Sequence, residues 1–342
     1  MRFHLPALPG RSTKPENSHC AYSQKVRKFH NMMERRGHEC FIYEYEMDEA
    51  PDFTIELWDE ANADMAERIN ANLELTDFLC IIGGNCQELL ADLVPLTPIE
   101  YGIGYEGTFS NFRVFESYAW MHVVYGAQQG AYKADGRNYD IVIPNYFEPD
   151  EFPYSKEKGD YILYMGRMIQ RKGLREAEEA AHRAGVDIVW AGEANDYIPS
   201  YGEYIGPVGP EERGNLMREA KALICPTRYI EPFGGVAVEA QLCGTPVISS
   251  DWGAFVETVQ QGVTGYRCHT LGEFVWAIEN VDHLDPEIIH NSAVSKYSCD
   301  AVAPLYETYF QMVGDVLHGH GWYTESSYDL GTRSAMGTVL VE

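Results

Sequence analysis

Residues 231–240 read EPFGGVAVEA and stand between two short apolar runs, ALIC at 222–225 and PVIS at 246–249. Short apolar runs bounded by Pro and Gly predict buried parallel strands, so the stretch between them is a loop that opens a helix near Gly234-Gly235. Glycines at that point leave the backbone N–H groups of a helix amino end open to an anion. Two carboxylates, Glu231 and Glu239, stand eight residues apart, the first in the loop and the second two turns into the helix. A helix end for phosphate and carboxylates for hydroxyls suit a nucleotide sugar. The same residues also read as a helix whose early glutamate complements its dipole.

Working outward, residues 166–173 (GRMIQRKG) follow directly on the strand-like run 161–165. Arg167 and Lys172 then leave the carboxyl end of that strand, on the same edge as Glu231. Two cations at a helix start oppose the macrodipole, and an anionic ligand explains them. Permanent cations there neutralise a diphosphate and stabilise charge that develops on it as a leaving group. Further strand-like runs at 187–191, 78–83, 98–104 and 139–143 alternate with helical stretches, and the chain opens as a βαβ unit over residues 1–45. The pattern breaks in the Pro- and charge-rich stretch 144–160. The expectation is an α/β protein of two doubly wound, Rossmann-like domains, with the ligand in the cleft between them.

The stretch 161–265 resembles the carboxyl-terminal domain of retaining GT-B glycosyltransferases of family 4 (glycosyl transferases group 1). GRMIQRKG matches the family's strand followed by a G-R-x4-K-G loop, residues 206–265 match its longest signature, and 144–152 (PNYFEPDEF) resembles its interdomain Pro-Asn segment. The resemblance implies three regions: an acceptor-side domain at 1–148, a nucleotide-sugar-binding domain at 149–317, and a tail at 318–342 returning to the first domain. It implies hexosyl or pentosyl transfer to an acceptor hydroxyl with retention and without a covalent enzyme intermediate. Arg167 and Lys172 would hold the donor diphosphate, and Glu231 would face the donor sugar with Phe233, Gly234 and Gly235 beside it. Glu239 would take the ribose hydroxyls. No DxD occurs, which suits a metal-independent transferase with no cofactor beyond its donor substrate. The histidine that many members place on the donor sugar is missing after residues 98–105, where Glu106 is its positional stand-in. Rival readings on the same scaffold are a nucleotide-sugar epimerase or hydrolase and a non-catalytic sugar-nucleotide binder.

The remaining composition sets limits. At 342 residues, the chain is long enough for two domains of ~150–170 residues. No apolar run is long enough to span a membrane, and the first residues lack a signal-peptide layout, so a cytoplasmic location is expected. The eight cysteines form no CxxC or zinc-ligand spacing, and His318 and His320 lack a third ligand nearby. Residues 102–107 (GIGYEG) spell GxGxxG, but not after the first strand of their domain, so they argue little for a dinucleotide. A net charge of −26 opposes non-specific binding to nucleic acid. Residues 1–36 nonetheless carry eight Lys/Arg against two glutamates. In the resembled fold the first loop lines the acceptor side, which makes Gly10, Arg11 and Lys14 the acceptor-side candidates. An anionic acceptor (a lipid phosphate, a phosphosugar or a modified nucleic-acid base) fits that charge, and a merely solvated basic face fits it equally.

Overall fold

In the computed structural model, which describes residues 1–14, 20–47, 53–130 and 133–325, the chain divides into two units. One comprises residues 1–146 with the chain from Cys299 onward, and the other Phe147–Ser298. The first is built on β1 (Arg2–Pro6), β2 (Glu39–Tyr43), β3 (Phe78–Ile81), β4 (Pro98–Ile103), β5 (Phe112–Phe115) and β6 (Asp140–Val142), all parallel, in the order β2-β1-β3-β4-β5-β6. Helices α1 (Ala21–Arg35), α2 (Ile55–Asn70), α3 (Glu88–Leu93) and α4 (Tyr118–Gln129) lie between the strands in sequence. Apolar residues at helical spacing pack α1: Val26, Phe29 and Met33 are fully buried. Gly37, at φ +84°, donates its N–H to the Glu34 carbonyl just past the end of α1.

The carboxyl-terminal helix α11 (Cys299–His318) belongs to this first unit, which corrects the expected boundary at residue 317. Its Val302, Tyr306, Phe310 and Val313 enter the core around β1, β3 and β4, where the Phe310 ring lies 4.8 Å from Phe3 and 5.0 Å from Phe78. Glu307 on its outer side takes both Arg36 and His38. Burying a Val or Phe side chain contributes ~1.5–3 kcal/mol relative to exposing it, so this helix is a structural member of the first core. The expected division placed it in the second domain; the aromatic core that receives it comes from residues more than 150 positions earlier. Of the expected tail, Trp322 rests 6.1 Å from the Tyr139 ring of the same unit, and residues 326–342 lie outside the described residues.

The GxGxxG run marks no dinucleotide turn. A Cβ on Gly102 would press on Lys25, one on Gly104 would stand 2.7 Å from a Glu116 carboxylate oxygen, and one on Gly107 would stand 2.8 Å from Asn85. The three glycines make room for side chains of other elements, including the Lys25–Glu116 ion pair.

The second unit carries β7 (Ile162–Met165), β8 (Ile188–Ala191), β9 (Glu203–Gly206), β10 (Ala222–Cys225), β11 (Val247–Ser250) and β12 (Gly265–Cys268), again all parallel, in the order β12-β11-β10-β7-β8-β9. Its helices are α5 (Leu174–Ala184), α6 (Pro210–Glu219), α7 (Gly235–Leu242), α8 (Phe255–Thr258), α9 (Leu271–Asn280) and α10 (Pro286–Tyr297). Strands β7, β10 and β11 are buried along their whole length, as a sheet covered on both faces requires. Leu174, Ala177, Ala180 and Ala181 give α5 its buried stripe, and Thr270 with Glu273 forms a capping box at the start of α9. Strand order reverses between β7 and β10, and ligands of such sheets bind in the crevice beyond the carboxyl ends of the strands at that switch.

Candidate functional site

The loops that leave β7 and β10 meet at this switch point. After β7, the Tyr164 hydroxyl donates to the Arg167 carbonyl at 2.9 Å, and the N–H of Met168 donates to the Glu193 carbonyl at 2.8 Å. The Gln170 N–H donates to Asp196 at 2.8 Å. Gly173 then opens α5 at φ +75°, where a Cβ would fall 1.9 Å from the Pro226 carbonyl oxygen. Only glycine combines that conformation with that approach, so Gly173 brings the two loops together. On the other side, the N–H of Arg228 donates to the Arg171 carbonyl at 2.9 Å.

The chemical centre of the cluster is the pair of Lys172 and Glu231, 2.9 Å apart and with 18% and 13% of their side chains exposed. Burial works against the Lys172 charge, but the Glu231 carboxylate and Tyr229 outweigh it and raise the ammonium pKa above its ordinary value. Lys172 is therefore a fixed cation across the physiological range. Backbone contacts hold Glu231 in place: its carbonyl accepts from Ala254 at 3.0 Å, and a Cβ on Gly253 would come within 2.8 Å of its nitrogen. Arg167 is exposed at the mouth of the β7 loop, and among the described residues no ion pair engages its guanidinium. The arrangement offers one free cation, one cation held in reserve by a carboxylate, and that carboxylate itself.

Residues 233–239 occupy three environments. The Phe233 ring is buried, stacked 6.3 Å from Phe147 and edge-on to Tyr297 at 5.9 Å. Its side chain is thus a core anchor for the loop, and only its backbone is free to meet a ligand. Gly234, at φ +74°, turns the chain into α7, whose first residue is Gly235 and whose amino end has no side-chain cap. Uncapped N–H groups at that end favour an anion. Glu239 lies on α7 with Arg213 of α6 at 3.8 Å, their side chains 16% and 29% exposed.

Two neighbours were not singled out by sequence reading. Tyr229 lies under two cations of the β7 loop, its ring centroid 4.4 Å from the Arg171 guanidinium carbon and 5.0 Å from the Lys172 nitrogen. Its place two residues before Glu231 was a usable signal. Arg213 had no local signal, since it is 26 positions from its partner on another helix.

The acceptor-side candidates lie in the first unit, on the loop after β1. Gly10, at φ +60°, donates its N–H to the Tyr45 carbonyl at 2.9 Å. Thr13 donates through both its N–H and its hydroxyl to Glu44, at 2.5 and 2.6 Å. The Arg11 guanidinium lies 5.5 Å above the Phe53 ring, and Lys14 is exposed. Beside the loop is a recess of about 680 Å³ lined by Thr13, Lys14, Glu44, Glu46, Asp64 and Arg68. Much of the basic stretch serves the unit internally: Arg2 pairs with Glu74, Lys25 with Glu116 and Arg36 with Glu307. Glu106 is exposed on the loop after β4. Among the described residues no group of three or more His, Cys, Asp or Glu could hold a metal ion, and no helix is long and apolar enough to cross a membrane.

Residues 147–285 match the model for glycosyl transferases group 1. An uncharacterized glycosyltransferase of Methanocaldococcus jannaschii is 28% identical over 180 residues, which are 45% of this chain and 46% of that protein. The glycogen synthase of Mycobacterium tuberculosis is 32% identical over 147 residues, 37% of this chain and 35% of the relative. A D-inositol 3-phosphate glycosyltransferase of Mycobacterium sp. is 37% identical over 89 residues, 25% of this chain and 20% of the relative. The chain thus spans less than half the length of these relatives. Among solved structures, AviGT4, a glycosyltransferase involved in avilamycin A biosynthesis, superposes with a TM-score of 0.71 at 20% identity, covering 92% of this chain and 98% of that one. Sucrose-phosphate synthase from Thermosynechococcus elongatus gives 0.68 at 14%, covering 91% and 98%. Anabaena HepE in complex with UDP and glucose gives 0.65 at 14%, covering 90% and 98%. The fold is GT-B, with two parallel six-stranded, Rossmann-like sheets.

Proposed function

With residues 147–285 a glycosyl transferases group 1 domain, we propose that the protein is a glycosyltransferase that moves a sugar from a nucleotide-diphosphate donor to an acceptor hydroxyl with retention of configuration. The observation that carries the proposal is the Lys172–Glu231 pair, which joins the β7 loop bearing Arg167 to the loop leading into the uncapped amino end of α7, at the switch between β7 and β10. A donor diphosphate there meets Arg167 and Lys172, and its sugar lies against Glu231. The ribose hydroxyls meet Glu239 on the next two turns of α7. As the anomeric carbon–oxygen bond to the diphosphate breaks, charge builds on the departing phosphate, and the two cations stabilise it. The acceptor oxygen bonds to the anomeric carbon on the face the diphosphate leaves, and its proton passes to the departing phosphate. Glu231 orients the sugar and stabilises positive charge at its anomeric carbon without forming a bond to it.

The reading needs no resident metal or cofactor. A cytoplasmic enzyme is in keeping with eight cysteines that form no disulfide, six of them buried. The acceptor side is assigned to the loop of Gly10, Arg11 and Lys14. The test starts with a thermal-shift panel of UDP-, GDP- and ADP-sugars, because a ligand bound only by the native state raises the melting temperature by mass action. The stabilising donor, labelled in its sugar, is then incubated with candidate acceptors with and without EDTA, and the anomeric configuration of the product is read by NMR. Sugar transfer with retention and indifference to EDTA is expected. Turnover of the donor to free sugar or to an epimer at the same rate with and without acceptor refutes the transferase reading.

A further inference from the structure

We propose that Gln87 is a positioning residue for the acceptor side: its amide stands between the ends of β1 and β3 and aims the loop that carries Gly10, Arg11 and Lys14. The inference rests on the glycosyltransferase reading and on its assignment of that loop to the acceptor, and adds a residue to it. In the first sheet the strand order reverses between β1 and β3, and ligands of such sheets bind in the crevice beyond the strand ends at that point. The two strands pair in register at Phe3 with Phe78 and at His4 with Leu79. Further along, at Pro6 and Ile82, the Gln87 amide bridges them.

Gln87 directly precedes α3 and is fully buried. Its Oε1 accepts from the N–H of Ile82 at 3.1 Å and from that of Gly83 at 2.7 Å. Its Nε2 donates to the carbonyls of Pro6 at 3.3 Å and Ala7 at 3.5 Å. Two donors face one end of the amide and two acceptors the other, so its orientation is fixed, and a carboxylate or an amine would satisfy only one side. Gly83 is part of the fit, since a Cβ there would stand 2.9 Å from Oε1. The loop after β1 is thereby held on both flanks. On the β2 side, Gly10 donates to the Tyr45 carbonyl and Thr13 to the Glu44 carboxylate. On the β3 side, Gln87 fixes the point at which the chain leaves the strand. Removing the amide strips enclosed N–H and carbonyl groups of this partner, which is costly, and frees the root of the loop to shift. The shift is carried out to Arg11 and Lys14, four and seven residues beyond Ala7, while Lys172 and Glu231 in the other unit keep each other.

Two substitutions disturb the amide to different degrees. Gln87→Met keeps the unbranched side chain and removes all four bonds. Gly83→Ala, the milder change, leaves the amide in place but pushes on its oxygen, and it carries the test if Gln87→Met does not fold. On the full chain, kcat and the two KM values are measured with the sugar nucleotide and acceptor that the parent protein turns over, and affinity for the matching nucleoside diphosphate by calorimetry. Gln87→Met is expected to raise the acceptor KM about five- to tenfold and Gly83→Ala about two- to threefold, with donor KM and diphosphate affinity changed less than twofold in both. In a background that already carries Arg11→Ser and Lys14→Ser, Gln87→Met should add less than a twofold rise, an outcome that a general weakening of the fold would not produce. An acceptor KM unmoved in the folded variants, a donor KM raised equally, or an undiminished further rise in the double-Ser background overturns the assignment while leaving the transferase reading intact. A parent protein that turns over no sugar nucleotide overturns both.

Discussion

Replacing Lys172 by Met tests the centre of the site without any substrate. The change removes the ammonium 2.9 Å from Glu231 but leaves an apolar stem of similar length over the Tyr229 ring. Breaking a fully buried ion pair by removing one partner costs ~3–5 kcal/mol, whereas an exposed pair contributes ~0–1 kcal/mol. With 18% and 13% of the two side chains exposed, this pair sits toward the buried end. Solvent at its edge reduces the loss to about 2–3 kcal/mol. For a unit of this size each kcal/mol shifts the midpoint by ~2–4 °C, so the calorimetric transition of the second unit should fall by roughly 5–10 °C. Removing the charge on the other side as well, in Lys172→Met with Glu231→Gln, eliminates the unpaired carboxylate and should restore most of the loss. That non-additivity is the signature of the pair. A single variant within about 1 °C of the parent, or a double variant that loses the sum of the two singles, refutes the claim that Lys172 and Glu231 hold each other in the resting site.

Glu239→Ala should chiefly raise the donor KM, because ribose contacts are equal in ground and transition states, and Glu231→Ala should chiefly lower kcat; steady-state kinetics showing the reverse would exchange their roles. Changing Arg11 and Lys14 together to Ser should raise the acceptor KM and leave donor affinity alone, and added salt should act likewise on the parent, since exposed charges are screened within ~8–10 Å. No effect of either would make a neutral sugar or alcohol the favoured acceptor. Burial pushes Glu100 up to about 7, against the pull of the Ser110 and Phe109 N–H groups, the Tyr105 hydroxyl and the charge of Arg113. The native state therefore keeps a proton that the unfolded chain gives up near pH 4.5, and stability contributed at acid pH is lost as pH rises to about 7. Glu100→Gln should flatten that fall, by up to ~3 kcal/mol between pH 5 and pH 8 in denaturant titrations; parallel pH profiles for parent and variant would count against the buried, proton-holding Glu100.

The strands were legible in the sequence because parallel sheets covered on both faces are written as short, continuous apolar runs. β7, β10 and β11 each sit within a residue or two of such a run. Helix α1 was legible from its spacing and from the glycine that closes it. Helix α11 was not correctly assigned, although its apolar face was plain. Nothing in a helix's own sequence says which of two cores will receive it, and here the decision lies with Phe3, Phe29 and Phe78. The same limit explains GxGxxG: its glycines answer to Lys25, Glu116 and Asn85, which sequence places 22 to 77 positions away from it or just beyond it in another strand's loop. A spacing pattern records that glycine is required, and only the fold records what requires it.

The site divides along the same line. Arg167, Lys172, Glu231 and Glu239 stand out in the sequence because they follow the carboxyl ends of β7 and β10, and beyond such ends is where ligands of a doubly wound sheet bind. The partners were not legible, and they change what the charges mean. Read from sequence, Lys172 and Glu231 are two independent groups waiting for a phosphate and a sugar. In the fold they neutralise each other across 2.9 Å, so on the proposed function an arriving diphosphate competes with a carboxylate for its cation. That competition selects for a ligand bringing more than one negative charge together with hydroxyl groups for the carboxylate it displaces. A lone phosphate supplies the first without the second, and a free sugar the second without the first. On the proposed function, a nucleotide-diphosphate sugar supplies both at once, which is why the Lys172–Glu231 pair favours it over its fragments.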